Sequence, residues 1–243
     1  YAYIVFFSIL ESRGDIMDEK IYRACVSNVK ELKKHRARLR KLVNTAIKEK
    51  KDDDLDTFTK FYALLFSAYV EVSFLKLIHT PKALDVSEIT QIQRGCNLEE
   101  KWKTCVQFAF LRINSSANSG EIANKKQTLT RIMNEYIIAP SQMRNKIAHG
   151  QWKICLNNQC TGINDEITNE ILQLDFVKID RYFEIYNKFQ QCILDLLVSQ
   201  RTHYRDYYSL ITELEEYIIS TKDWTIQTKK MKILSSSKIQ RYT

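Results

Sequence analysis

Along most of this chain apolar residues recur every three or four positions, the period of an amphipathic helix. Between Asp18 and Lys51 no Gly or Pro interrupts a stripe of Ile21, Cys25, Val29, Leu32, Leu39, Leu42 and Val43, and Asp18 is placed to cap it. A second helix is predicted by Phe58, Tyr62, Leu65, Tyr69, Val72, Leu75 and Leu77, running to His79. Asp52-Asp53-Asp54 suits its start, because carboxylates stabilise the positive end of the helix dipole, and Pro81 closes it. Further helices are expected over 87–93, 98–113, 121–138, 175–200 and 202–220, with Asn114–Gly120 a loop and Pro140 a break or a new first turn. After Gly150 the period changes. Trp152–Leu156, Asn157-Asn158 and Gln159–Thr161 read as strand, turn and strand of a small β-hairpin. The expected fold class is all-α, an antiparallel helical bundle with that hairpin attached.

Composition supports the same picture. Only 5 Gly and 2 Pro occur in 243 residues, far too few for the tight turns of a sheet-rich fold. With 44% hydrophobic and 27% charged residues the chain is neither disordered nor membrane-embedded, and it is long enough for a substantial core. The balance of 37 basic and 29 acidic residues leaves +8, which permits polyanion binding. The six cysteines form no CxxC and no Cys/His pair at zinc spacing, so they read as reduced thiols of a cytoplasmic protein, with no metal and no cofactor expected. The apolar opening Tyr1–Leu10 is too short to span a bilayer and lacks the basic flank of a signal peptide, so no membrane association is expected. Residues 1–16 are either an extension before a natural start at Met17 or an element packed on the core. Residues 17–224 then form the helical domain, and 225–243 a loose basic tail with five Lys/Arg and no acid.

One stretch carries chemistry: Ser141-Gln142-Met143-Arg144-Asn145-Lys146-Ile147-Ala148-His149-Gly150. A guanidinium grips phosphate oxygens through a fixed fork and never loses its charge, and an imidazole can act as base or acid near neutrality. On a helix Asn145 and His149 share a face, with Ser141 one turn earlier, whereas Arg144 lies roughly 140° away. Two copies facing each other across a two-fold axis would bring both pairs onto one phosphate. The bland alternative is that Met143, Ile147 and Ala148 face the core while Arg144 and His149 are ordinary surface or capping groups.

This Arg-Asn-x3-His pattern, set among long helices, resembles the HEPN superfamily, whose hallmark is an Arg, often followed by Asn, Asp or His, with a His four to six residues beyond. The resemblance implies an all-helical HEPN-like bundle and a metal-independent endoribonuclease. Arg144, His149 and Asn145 would be its catalytic residues, and its products would carry 2′,3′-cyclic phosphate and 5′-hydroxyl ends. It also implies a homodimer, a role in phage defence or as a toxin, and an antitoxin or defence-system protein as partner. HEPN toxins silenced by a nucleotidyltransferase usually carry Tyr two residues after the His; here Gln151 and Trp152 follow Gly150, which speaks against that mode of control. The alternative is a non-catalytic HEPN-like dimer that binds nucleic acid, nucleotide or a protein partner.

RNA contacts are expected from Lys34, Arg38 and Lys41, one face of the basic run Lys33–Lys41, and from Lys146 and Ser141 beside the motif. Clustered Lys/Arg release counterions from a polyanion; the simpler reading of such a run is a solvated helix face. Tyr204, Tyr207 and Tyr208 offer either a stacking platform for bases or an aromatic packing face.

Overall fold

The computed structural model describes the backbone of residues 2–113, 119–198 and 203–239, and the side chains of 19–113, 119–141, 143–198 and 208–235. It is all-α. The helices are α1 (Ala2–Glu49), α2 (Asp52–Ile78), α3 (Val86–Gln93), α4 (Leu98–Leu111), α5 (Ser119–Met133), α6 (Ala139–Ala148), α7 (Asp165–Leu172), α8 (Phe176–Val198), α9 (His203–Ser220) and α10 (Ile226–Ile239). The described residues group into two compact units. One draws on Tyr1–Glu31, Val70–Asn134 and Asn187–Leu214, the other on Leu32–Tyr69, Glu135–Tyr186 and Glu215–Thr243.

In the first unit Trp102 of α4 is fully buried against Phe74 and Phe189, with ring centroids 4.5 and 5.2 Å away. The start of α3 is held by a reciprocal capping box, Glu88 N donating to Asp85 and Asp85 N to Glu88. Arg112, at the end of α4, then forks onto the same Glu88 carboxylate at 2.7 and 3.1 Å. The Glu88 carboxylate thus helps cap one helix while pairing with the end of another. His79, expected at a helix end, is buried there with Gln93 3.4 Å from its ring.

The second unit has an aromatic core. Tyr62, Phe66 and Tyr69 of α2 meet Phe176, Phe183 and Tyr186 of α8 at ring separations of 4.5 to 6.5 Å. Beside it runs a polar seam. Arg36 of α1 donates to Asp180 at 2.6 Å, to Glu184 at 2.8 Å and to the Tyr62 hydroxyl at 3.0 Å, with Phe183 4.4 Å beneath its guanidinium.

Three expectations change. Asp18 does not start a helix: α1 runs continuously from Ala2 through it to Glu49. Residues 226–239 are helical rather than loose. Ile226 N donates to Asp175 at 2.8 Å and Lys230 pairs with Asp52 at 2.7 Å, so α10 is anchored at its start. The expected hairpin is not formed: no strand occurs among the described residues, and one antiparallel bridge pairs Leu156 with Ile163, beyond the expected second strand 159–161. The reason lies in the backbone partners. Cys155 N donates to the Thr168 hydroxyl, Leu156 N to the Gln151 amide, and Leu156 O accepts from Lys146 Nζ, so side chains take the groups a strand partner would use. Most of the expected loop Asn114–Gly120 lies outside the described residues, as do the Tyr204 and Tyr207 side chains; Ser119 and Gly120 belong to α5.

Candidate active site

Pro140 has no amide proton, so the carbonyl one helical turn before it loses its ordinary donor. The chain adapts without stopping. Asn134–Ile138 widens into a π-helical turn, and α6 follows directly with Ile138 still in helical conformation. Ser141 Oγ donates to Ile138 O at 2.6 Å, tying the first turn of α6 to its N-cap residue.

The far end of α6 is as firmly made. Gly150 takes φ +80°, its N–H donates to Ile147 O at 3.1 Å, and Gln151 N donates to Lys146 O at 2.9 Å. These are the two bonds of a Schellman cap, and the left-handed residue between them favours glycine. Trp152 then folds back, its indole N–H donating 2.9 Å to Ile147 O while its ring meets Phe61 edge-on at 5.4 Å. His149 is the capping residue itself, and its side chain is exposed at the helix end.

His149 and Asn145 line one wide cleft of about 1150 Å³. The rest of its lining comes from Gln151, the loop Asn157–Cys160 and α7, which contributes Glu166 and Glu170. Asn164 caps α7 by accepting from Ile167 N at 3.0 Å and lines the same cleft. Lys146 fixes the loop to the motif helix, donating to Leu156 O at 2.6 Å, with Asn158 Oδ1 at 3.5 Å. The surface is therefore rich in amides, with one imidazole and two carboxylates. It can hold a polar ligand and offer His149 as a proton carrier.

The structure brings together only some of the expected residues. His149, Asn145 and Lys146 share the cleft; Arg144 is half-buried and does not line it, as the angular offset along the helix requires. Ser141 and Lys146 are half-buried and bonded to backbone carbonyls. Lys34, Arg38 and Lys41 are exposed on α1 and line neither this cleft nor the cavity described below. Within the same basic run Arg36 points the other way, into the seam with Asp180. Burial opposes its charge, but Tyr62 and Asp180 outweigh that and hold the guanidinium above its ordinary range. The acidic and amide wall from α7 and its loop was missed in the sequence. Its signal was present, in Asn164 followed by Asp165-Glu166 as a helix start.

Compared with known proteins, the chain matches no family model, no curated protein and no solved structure.

Proposed function

We propose that this chain is a metal-independent endoribonuclease of HEPN type that works as a homodimer. The observation that carries the reading is the motif Arg144-Asn145-Lys146-Ile147-Ala148-His149 on a helix fixed at both ends, with His149 exposed over a polar cleft. In the proposed reaction one His149 imidazole removes the 2′-hydroxyl proton, the new 2′ oxygen–phosphorus bond forms, and the 5′ oxygen leaves with a proton from the protonated His149 of the second copy. Arg144 stabilises the charge of the crowded phosphorane. One helix holds Arg144 off the face of His149, so the reading asks a second copy to complete each site. The expected setting remains phage defence or toxicity, in the cytoplasm, with an antitoxin or defence protein as partner.

Arg144→Ala and His149→Ala are expected to abolish RNA cleavage while the helical circular-dichroism signal is retained, and EDTA to leave the wild type active. Mixing the two inactive variants should restore part of the activity, because a heterodimer keeps one intact Arg144/His149 combination. Cleavage at the wild-type rate by either single variant would refute the assignment. An active monomer in light scattering would refute the shared site.

A second reading is favoured by the cleft wall. Glu166 and Glu170 stand there with His149, and Lys146 is turned to the loop, so a phosphate chain meets carboxylates as well as the imidazole. Of the ligands open to a non-catalytic HEPN-like dimer, nucleic acid, nucleotide or a protein partner, such a surface favours the protein. His149→Ala separates the two readings, since a binder keeps its affinity and a nuclease loses turnover.

A further inference from the structure

A second cavity, of about 290 Å³, lies in the second unit on the side of α6 that Met143 faces. Its volume is at the small end of ligand pockets and suits a single-ring molecule. Phe66, Met143, Ile179 and Tyr182 give it apolar and aromatic surface, and Glu135, Glu170, Asp175 and Lys178 supply its charge. That is three carboxylates against one ammonium.

The carboxylates are not equivalent. Asp175 caps α8, its Oδ1 accepting from Val177 N at 2.7 Å and from Lys178 N at 3.3 Å, and its Oδ2 accepts from Ile226 N. Glu135, which is hydrogen-bonded to the Tyr136 phenol, and Glu170 have exposed side chains and reach the cavity from two different elements, the π-helical turn and α7. Burial is what chiefly pushes the Tyr182 phenol up; Arg181 opposes it, and Glu135, Glu170 and Asp175 add to the rise. Among the described residues no three His, Cys, Asp or Glu side chains are placed to hold a metal ion together. The charge therefore favours a cation that brings its own apolar body, for which aromatic lining residues such as Phe66 and Tyr182 are suitable neighbours.

We propose that this cavity is a binding site for a small organic cation, its apolar ring seated on Phe66, Met143 and Tyr182 and its charged head between Glu135 and Glu170. The site stands independently of the nuclease reading, although Glu170 also lines the cleft of His149.

Benzamidine tests it, beside the uncharged benzamide and the anionic benzoate, on the full chain with the methionine methyl groups labelled for NMR. Benzamidine is expected to shift the Met143 methyl resonance and to bind roughly ten-fold more tightly than either control. Glu135→Gln and Glu170→Gln, both at exposed positions, should each weaken benzamidine about two- to five-fold and together erase its preference over benzamide. No Met143 shift at about 10 mM benzamidine, equal binding of the three probes, or a preference that survives in the double variant would each overturn the proposal.

Discussion

Replacing Arg36 by Ala tests whether the basic run of α1 is a uniform solvated face. Its guanidinium side chain is 13% exposed, that of Asp180 21% and that of Glu184 44%, so this pair is neither dry nor surface-like. Removing one partner of a fully buried pair costs about 3–5 kcal/mol, and a hydrogen bond to a charged group about 1.5–3 kcal/mol. Residual solvent and Arg40, 3.7 Å from Asp180, lower the first figure, while losing the contact with the Phe183 ring adds to the second. About 3 kcal/mol is expected, which in a chain of 243 residues lowers Tm by about 6–12 °C. Lys33→Ala, three residues away on an exposed side chain, should stay within about 0.5 kcal/mol. Thermal melts followed by circular dichroism, with urea titrations in parallel, measure both. An Arg36→Ala melt no lower than that of Lys33→Ala would show that the run is one solvated face and that the seam with Asp180 contributes nothing.

Gly150→Ala should lose about 1 kcal/mol in urea titrations, because φ +80° is strained for Ala although a Cβ there meets no atom within 4 Å; an unchanged midpoint would contradict the left-handed cap. Tyr62, Tyr136, Tyr182 and Tyr217 are held above their ordinary range chiefly by burial, Tyr136 at about 12. Native values above the unfolded value of about 10 mean that their stabilisation is complete below pH ~10 and is lost as pH rises through the native values. Tyrosinate absorbance showing every one of the 13 tyrosines ionising near 10 in the folded protein would refute this. Replacing Lys34, Arg38 and Lys41 together by Gln should flatten the salt dependence of RNA binding by roughly 0.7 per lost phosphate contact while turnover at saturating RNA holds; an unchanged slope would place the RNA elsewhere.

The long helices were legible because their signals are local: unbroken apolar period, acidic starts and stops at Pro81 and Gly150. The choice of core residues within them was less so. The expected stripe of α2 holds at Tyr62, Tyr69 and Leu77, but its Leu75 is 40% exposed, and Phe66 and Phe74, outside it, are buried. A one-residue rotation of a nearly all-apolar helix leaves the pattern almost unchanged, and only its partners fix the angle. The hairpin failed for a different reason. Its residue types suit a strand, but its backbone groups go to Lys146, Gln151 and Thr168, contacts that no short-range rule can see. The order of the basic tail depends likewise on Asp175 and Asp52, far away in sequence. Of the candidate site, the sequence marked the motif helix and the placing of Asn145 with His149; the rest of the cleft lining required the fold.

What the fold adds to the motif is rigidity, and rigidity bears on the proposed chemistry. The helix that holds Arg144 and His149 continues directly from the π-helical turn before Pro140. At its other end the bonds of Gly150, Gln151 and Trp152 hold it closed. Side-chain rotation cannot easily cancel an angular separation of roughly 140° imposed by five helical steps. Unwinding the last turn could, but it would break the Schellman bonds and expose Ile147, which is 1% exposed as it stands. On the proposed reading, each protomer keeps its own geometry and a two-fold axis supplies the missing cation. The interface must then be self-complementary about the outer end of α6. A charge-reversing substitution there acts twice in the dimer, once on each side of the axis. Glu166→Lys is such a change, at an exposed residue lining the same cleft as His149, and should alter dimer affinity without changing the monomer's Tm. A variant that dimerises and cleaves as the wild type does would move the axis away from this end of the helix.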